Sequence, residues 1–256
     1  MTNENRTRSS NRVVILGALS AIAMATARIY AAEGASLMLV ARNSERLKAL
    51  AGDLRARGAV QVETAAMDLE AASAEASRHL ADWKQKLGGI DHVHLIYGYL
   101  GTQEKASSDP VELARITSSN YSTAVLWCEA VANIQRQQKR GSLVAVSSVS
   151  GDRGRQSNYA YGAAKGAIAL YVQGLAHSLA GTGARAVAVK PGFVDTPMTD
   201  GMKKGGALWA SPDRIGRILR RAADTGGPIQ YAPSIWRMIM LVIRTLPAFV
   251  FHKTKL

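Results

Sequence analysis

The 256-residue sequence contains a single cysteine, Cys128, inside the apolar stretch Ala124–Cys128. One cysteine cannot form an intramolecular disulfide or a metal-binding cysteine cluster. We therefore interpret Cys128 as a buried thiol of a protein that works in a reducing compartment. His92 and His94 alternate along one apolar run and could face the same side, but no third ligand lies nearby. We interpret both as structural residues and predict no metal site.

Long apolar runs are also missing. The segment Met1–Arg12 is polar and lacks the apolar centre of a secretory signal, so we expect it to form a flexible N-terminal arm. The most apolar stretch, Trp236–Phe251, is interrupted by Arg237, Arg244 and Pro247. It falls short of the roughly 20 apolar residues that a membrane-spanning helix needs.

Acidic residues are scarce: 19 aspartates and glutamates face 32 lysines and arginines, which gives a formal net charge of +13. The excess is uneven, because residues 201–256 carry ten basic residues against Asp213 and Asp224. The sequence shows no nucleic-acid-binding module or aromatic stacking platform, so we do not assign the basic surface to nucleic acid.

What is present is a regular alternation of short apolar runs and longer amphipathic stretches. The apolar runs predict buried strands at Val13–Leu16, Ser36–Val40, Val60–Ala65, His92–Ile96, Ser142–Ser147 and Ala184–Lys190. The stretches between them predict helices at Ala21–Glu33, Ser44–Arg57 with Ser44 as its cap, Ala71–Lys86, Asp109–Arg136 and Asn158–Ala180. This order is typical of an α/β fold in which helices cover both faces of a doubly wound parallel sheet.

The hydrophobic fraction of 47% and the charged fraction of 20% are those of a globular protein with one sizeable core. We therefore predict a single catalytic domain over residues 13–233. Residues 1–12 form the flexible arm, and residues 234–256 form a basic amphipathic tail.

The turn after the first predicted strand is suited to an anion. Gly17 ends the strand and a helix follows, so free backbone N–H groups and the helix dipole point at the same place. A dinucleotide fingerprint places further glycines where this sequence has Ala21 and Ala23, so the turn alone is weak support.

Tyr161 and Lys165 are four positions apart in a predicted helix and therefore share one face. An ammonium beside a phenol favours the phenolate, which would lower the pKa of Tyr161 towards the physiological range. Ser148 lies thirteen positions before Tyr161, directly after the predicted strand Ser142–Ser147. Its hydroxyl could hold a substrate oxygen there. The three side chains together predict acid–base chemistry on a carbonyl or an alcohol.

In their order and spacing, these features resemble the classical short-chain dehydrogenases/reductases. The turn at Gly17, Asn120, Ser148, the pair Tyr161 and Lys165, and Pro191–Thr196 carry the resemblance over residues 13–198. It implies a Rossmann-type fold, a nicotinamide cofactor and four catalytic residues: Asn120, Ser148, Tyr161 and Lys165. In that family the tyrosine is the acid/base, the serine polarises the carbonyl, the lysine also binds the ribose, and the asparagine anchors a proton-relay water. The implied cofactor contacts are Gly17, Leu19, Ser20, Ala21, Ile22, Arg42, Asp68, Leu69, Gly98, Tyr161, Lys165, Pro191, Gly192, Val194 and Thr196.

The sequence departs from this family after the fourth strand. Where the family has Asn-Asn-Ala-Gly, this chain has Leu95-Ile96-Tyr97-Gly98, which keeps the glycine and loses both amides. The strand ends must therefore be held by other groups.

The end of the second predicted strand bears on the choice of cofactor. Ala41 stands where an NAD-selective site has a carboxylate, and Arg42 follows it. Because a guanidinium matches a phosphate in a bidentate manner, we predict NADP(H) over NAD(H). Asp68 and Leu69 match the family position for the adenine, although Asp68 could instead cap the next helix.

The tail narrows the resemblance. Tyr231-Ala232-Pro233, Arg237, Met240, Arg244 and Pro247, with Gly98, Leu100, Gly101 and Asn120-Tyr121, are similar to the decaprenylphosphoryl-2-keto-β-D-erythro-pentose reductases. Those enzymes reduce a lipid-linked keto-sugar in the second step of a C2 epimerisation and work with a flavin oxidase in cell-envelope synthesis. The resemblance implies an NADPH-dependent reductase in the cytoplasm, peripheral at the inner face of the cytoplasmic membrane, and family membership implies a homo-oligomer.

Three alternatives stay open at the level of sequence. The enzyme could reduce another lipid ketone, such as a 3-keto-sphingoid base, or it could be a soluble small-molecule reductase whose C-terminal helix packs on the core or on a second subunit. It could also be a cofactor-binding scaffold with little turnover. The tail is compatible with an interfacial helix at an anionic membrane surface, since Arg237 and Arg244 share one helical face.

Overall fold

Seven parallel strands form one sheet in the order β3-β2-β1-β4-β5-β6-β9. The structure is a computed structural model, and it describes residues 11–201 and 205–254. The strands are β1 (Arg12–Leu16), β2 (Ser36–Ala41), β3 (Gln61–Ala66), β4 (His92–Leu95), β5 (Gly141–Val146), β6 (Ala184–Pro191) and β9 (Ile229–Ala232). A two-stranded pair, β7 (Phe193–Val194) with β8 (Trp209–Ala210), stands apart from this sheet.

The helices alternate with these strands. They are α1 (Ala21–Ala32), α2 (Ser44–Ala56), α3 (Ala76–Leu87), α4 (Gln103–Ser108), α5 (Pro110–Thr117), α6 (Thr123–Gln138), α7 (Tyr159–Ser178), α8 (Pro212–Thr225), α9 (Ile235–Thr245) and α10 (Ala248–Phe251). Two core clusters lie on the two faces of the sheet, one holding side chains of α1 and α8 and the other those of α3, α6 and α7. Every residue of β2 is buried because both faces are covered. The predicted doubly wound α/β fold and its single domain are confirmed.

The strand order reverses between β1 and β4, so the carboxyl ends of these two strands diverge into separate loops. In open parallel sheets, ligands bind in the crevice that such a switch creates. The loops that follow β1, β4 and β5 therefore hold the candidate site.

Three local predictions were wrong. Asn43 caps α2, not Ser44, since its side chain accepts a hydrogen bond from the Arg46 amide at 2.9 Å. Arg12 does not belong to the arm: it is the first residue of β1, and it pairs with Asp91 at 2.8 Å. Residues 1–10 of the predicted arm lie outside the described residues.

The third error concerns the long helix predicted over Asp109–Arg136. Asp109 caps α5, accepting from the Val111 amide at 2.8 Å, and a π-helical turn at Ser118–Ser122 separates α5 from α6. Such turns insert one residue into a helix and are common at functional sites. This one contains Asn120.

The two histidines of β4 are buried and partnered within the protein. His92 Nδ1 lies 2.8 Å from the Ser142 hydroxyl, and His94 Nε2 lies 2.9 Å from the Tyr30 hydroxyl. Burial lowers the pKa of His94 to about 3, so its ring stays neutral at physiological pH. Both side chains therefore serve the packing of β4.

The C-terminal helix is buried along one stripe and exposed along another. Trp236 and Met240 pack with Val149 in a small cluster. Met238, Leu241 and Val242 of the same helix are each more than half exposed. Within the described part of the chain, no helix is long and apolar enough to cross a membrane. The tail therefore combines a packed face with an exposed apolar face.

Candidate active site

The carboxyl end of β5 is joined to α7 by two reciprocal hydrogen bonds. The Ser147 hydroxyl donates to the Lys165 carbonyl at 2.6 Å, and the Lys165 ammonium donates to the Val146 carbonyl at 3.0 Å. Both contacts hold the middle of α7 against the end of the strand. They place the Lys165 side chain, which is 4% exposed, inside the molecule.

Glycines allow the turn after Ser148 to approach α7 closely. A Cβ added at Gly151 would lie 2.5 Å from the Gly166 nitrogen, and one added at Gly162 would lie 2.7 Å from the Ser150 carbonyl oxygen. Neither position has room for a larger residue. The turn of residues 149–152 therefore packs backbone to backbone on the helix. The Ser148 hydroxyl accepts from the Ser150 amide at 3.1 Å and also interacts with the Tyr161 phenol.

The electrostatics of Tyr161 differ from the expectation. Burial raises the pKa of its phenol to about 12, and the hydrogen bond with Ser148 opposes that shift. Lys165 was expected to lower this pKa, but its ammonium lies 5.7 Å from the centre of the Tyr161 ring and hydrogen-bonds the backbone instead. Burial also lowers the pKa of Lys165 to about 8. The phenol is therefore held in its protonated form.

Asn120 supports the loop after β4. Its amide nitrogen donates to the carbonyls of Tyr99 at 2.6 Å and Ile116 at 2.8 Å, and its Oδ1 accepts from the Tyr99 amide at 3.3 Å. The Tyr97 hydroxyl lies 3.2 Å from that of Thr123. These contacts position the segment in which the sequence lacks the two family asparagines.

Gly98 brings this loop against the other side chains. A Cβ at Gly98 would lie 2.5 Å from Asn120 Oδ1 and 3.1 Å from Lys165 Nζ. All four predicted catalytic residues are thus connected: Ser148 contacts Tyr161, Lys165 follows on the same helix, and Gly98 lies between Lys165 and Asn120.

A cleft of about 370 Å³ opens beside Gly98, between the ends of β1, β2 and β4. Seven predicted cofactor contacts line it: Gly17, Leu19, Ser20, Arg42, Asp68, Leu69 and Gly98. Gly17 has a φ of +86°, and a Cβ there would lie 2.9 Å from the Ile96 carbonyl oxygen, so the turn requires glycine. Ser20 caps α1, accepting from the Ala23 amide at 3.3 Å. This cradle of backbone at a helix N-terminus fits the pyrophosphate of a dinucleotide.

Several cleft residues were not among the predicted cofactor contacts. They are Ala41, Asn43, Arg46, Met67, Glu70, Ile96, Tyr97, Tyr99, Arg115 and Met198. The most informative is Arg46, in the first turn of α2, because it supplies a second guanidinium near Arg42. Its position three residues after the capping Asn43 is the sequence signal that could have found it.

Asp68 lies where an adenine contact would place it, but it does not cap the next helix, because α3 begins after Glu75. It lines the cleft, and its Oδ1 accepts from the Glu70 amide at 2.8 Å.

The remaining predicted cofactor contacts do not line this cleft. Ala21 and Ile22 begin α1, and Pro191 ends β6. Gly192 donates its amide hydrogen to the Ala232 carbonyl at 3.0 Å, and a Cβ added to it would fall 1.9 Å from Nε1 of Trp236. Val194 pairs with Ala210, and Thr196 caps a short turn over Pro197–Thr199. This segment crosses from β6 to β8 with the Trp236 ring packed against its start.

Comparison with known proteins bears on this arrangement. A family model described as short chain dehydrogenase matches residues 11–206, which hold the cleft and all four predicted catalytic side chains. The chain belongs to the short-chain dehydrogenase family. An uncharacterized oxidoreductase of Mycobacterium tuberculosis is 36% identical over 241 residues, covering 94% of this chain and 96% of its own. An uncharacterized oxidoreductase of Streptomyces coelicolor is 34% identical over 249 residues, covering 94% of each chain.

Solved structures agree in fold with this short-chain dehydrogenase. Levodione reductase has a TM-score of 0.76 at 25% identity, and covers 87% of this chain and 95% of its own. The actinorhodin polyketide ketoreductase, solved with NADPH, also has a TM-score of 0.76, at 20% identity over 87% of this chain and 95% of its own. The protein is an oxidoreductase of the short-chain dehydrogenase family, and the sequence-based family assignment is confirmed.

Proposed function

We propose that this oxidoreductase reduces the ketone of a lipid-linked substrate with NADPH, and that the substrate is a polyprenylphosphoryl 2-keto-pentose. The observation that carries the chemistry is the close packing of the turn after Ser148 on the helix that bears Tyr161 and Lys165, with Gly98 against Lys165 beside the cleft. Ser148 interacts with the Tyr161 phenol at this point. These groups could donate hydrogen bonds and a proton to a carbonyl oxygen, which gains negative charge as the carbonyl is reduced.

Each side chain has a part in the proposed mechanism. When bound, a nicotinamide cofactor supplies the hydride for the carbonyl carbon. The Tyr161 phenol gives its proton to the carbonyl oxygen, so the ketone becomes an alcohol and the phenol becomes a phenolate. Ser148 donates a hydrogen bond to the same oxygen. The Lys165 ammonium, on the next turn of α7, stabilises the phenolate as it forms. A phenol whose pKa is raised to about 12 starts in the protonated form that reduction requires.

The preference for NADPH is supported by the side chains at the edge of the cleft. Arg42 and Arg46 both line it, and the residue at the position of an NAD-selective carboxylate is Ala41. Two guanidiniums there match the charge and shape of a 2′-phosphate. Alanine at position 41 also leaves the ribose diol of NADH without the carboxylate acceptor that an NAD-selective site has there.

We expect Arg42→Ala and Arg46→Ala each to raise the KM for NADPH by about tenfold, the effect of losing one charge-assisted hydrogen bond. The KM for NADH should change much less, because it has no 2′-phosphate. Steady-state kinetics with both cofactors measure the ratio. Arg57→Ala, at the other end of α2 and paired with Asp53, is the matched control. Equal effects on both cofactors would contradict the assignment.

A lipid-linked substrate is supported by the surface of the C-terminal segment. Met238, Leu241 and Val242 of α9 and Phe249 of α10 expose between 53% and 69% of their area. Arg237 and Arg244 are exposed beside them. Apolar side chains flanked by cations suit the headgroup boundary of an anionic membrane. A polyprenyl chain would be embedded in the hydrocarbon core of the same membrane. We propose a peripheral location at such a membrane on the same grounds.

A panel of ketones tests this proposal. NADPH oxidation is followed with polyprenylphosphoryl 2-keto-pentose, a 3-keto-sphingoid base and a small water-soluble ketone, each with and without phosphatidylglycerol vesicles. We expect the highest kcat/KM with the polyprenyl substrate and a further increase with vesicles. A preference for the sphingoid base would show that the substrate is a different lipid ketone. A preference for the soluble ketone, with no effect of vesicles, would contradict a lipid-linked substrate. No turnover of any ketone would favour a cofactor-binding scaffold.

A further inference from the structure

A second concave site lies on the loop that joins Ser148 to Tyr161. Arg153 and Arg155 form one side of it, Phe251 and His252 from the C-terminal segment form the other, and Tyr159 at the start of α7 closes it. It encloses about 480 Å³. We call it the Arg155 pocket. The loop begins after Ser148 and ends before Tyr161, the two residues whose hydroxyls take part in the proposed reaction. A ligand bound to this loop would therefore contact residues that are close in sequence to the candidate active site.

The Arg155 pocket is positively charged. Among the described residues that line it there are two arginines and a histidine, and none is acidic. The neighbouring acid, Asp152, is already engaged: it accepts a hydrogen bond from Tyr231 at 2.7 Å and is paired with Lys190. Its charge is therefore compensated on the side of β6 and β9.

The two arginines of the pocket differ in how they are used. Arg153 is a structural residue: its Nη1 donates to the carbonyls of Ile243 and Leu246, and its guanidinium stacks on the Phe251 ring at 3.9 Å. Among the described residues, the Arg155 guanidinium makes one hydrogen bond, to Met240 Sδ at 3.6 Å, and its buried Nε has no partner. The Asp152 carboxylate attracts Arg155 but forms no ion pair with it in the described part of the chain. Buried polar groups are normally hydrogen-bonded, so Arg155 has donor capacity that this fold does not satisfy.

Apolar side chains continue outward from the pocket. Phe251 lines it, and the two preceding residues of α10, Phe249 and Val250, are 69% and 37% exposed. A cationic recess bordered by exposed apolar residues matches a ligand with an anionic head and a hydrocarbon chain. Guanidiniums bind phosphate oxygens in a planar, bidentate geometry.

We propose that the Arg155 pocket binds the phosphate group of an amphiphilic ligand, with Arg155 as the principal donor and α10 in contact with the hydrocarbon chain. The assignment of this phosphate to the ketone substrate rests on the proposed function. The pocket would then favour ketones that carry a lipid phosphate over ketones without a phosphate. The contact that selects them is separate from the reacting carbonyl.

The test measures binding to the full chain by isothermal titration calorimetry. The probes are farnesyl phosphate below its micelle concentration, farnesol and inorganic phosphate. Arg155→Gln should weaken the binding of farnesyl phosphate at least tenfold, and Arg155→Lys should restore part of it. Arg78→Gln, at an exposed arginine of α3, is the control and should leave the affinity unchanged. Farnesol should bind the wild type and Arg155→Gln equally.

Equal affinity of the wild type and Arg155→Gln for farnesyl phosphate would overturn the proposal, as would no binding to either folded protein. If inorganic phosphate binds as tightly as farnesyl phosphate, the claim of an amphiphilic ligand is wrong and the pocket is a site for a free anion. Thermal unfolding of each variant shows whether it is folded. Reduction of a neutral ketone by the wild type tests the proposed function independently, because that substrate has no phosphate for Arg155.

Discussion

Replacing Tyr161 with phenylalanine should lower kcat by a factor on the order of 10²–10⁴, the usual contribution of a positioned general acid. The substitution removes one oxygen and leaves the ring that packs in the small cluster with Ile116 and Ala160. The lost atom is the one that meets Ser148 and that would protonate the carbonyl. The dissociation constant for NADPH should change little, since the cradle at Gly17 and the arginines of the cleft are untouched. Stopped-flow reduction and fluorescence titration with NADPH measure the two quantities separately.

The matched control for this experiment is Tyr171→Phe. Tyr171 is on the same helix, α7, and donates to Glu129 Oε2 at 2.8 Å, away from Ser148 and the cleft. It should retain near-wild-type kcat. Retention of activity by Tyr161→Phe, or an equal loss in both variants, would exclude Tyr161 as the proton donor.

The second large effect is on stability. Gly192→Ala should lower the free energy of unfolding by about 3 kcal/mol, at the upper end of what overpacking a filled site costs. The added Cβ would fall 1.9 Å from two atoms of the Trp236 indole, which is 3% exposed and contacts Phe193 edge to face at 5.5 Å between centroids. Either the indole or the segment after β6 has to move. Chemical denaturation measures the change.

A double-mutant cycle separates this clash from a general effect of alanine. Trp236→Leu removes the ring, so the double variant should be more stable than the sum of the two single effects predicts, by at least about 1 kcal/mol. Gly174→Ala is the control, because nothing lies within 4 Å of a Cβ at that position in α7. Alanine there should raise stability by roughly 0.5–1 kcal/mol through helix propensity. Additive effects of Gly192→Ala and Trp236→Leu would show that the indole is not the obstacle.

The strands were predictable from the sequence because a sheet buried on both faces demands uninterrupted apolar runs. The predicted strand Ser36–Val40, for example, differs from the observed β2 by one residue at its end. β9 was missed for the opposite reason: it is a short edge strand whose first three residues are only partly buried. α8 was not predicted, although Ser211 caps it and Pro212 begins it.

The candidate site was predictable where it depends on spacing along one element. Tyr161 and Lys165 share α7, and Ser148 follows β5, so their proximity follows from secondary structure. The contribution of burial was not predictable: the surroundings that raise the pKa of Tyr161 and lower that of Lys165 come from the packing of several segments. The packing of Trp236 on Gly192 joins residues far apart in sequence, and no local pattern signals it.

The backbone contact between the turn after Ser148 and α7 has a dynamic consequence. Gly151, Gly162 and Gly166 leave no side chain between the two segments that could change rotamer or be compressed. We therefore expect thermal fluctuations to displace the turn and the helix together. The distance between the Ser148 and Tyr161 oxygens should stay nearly constant while the surrounding loops move, so the reactive pair is preorganised before any ligand arrives.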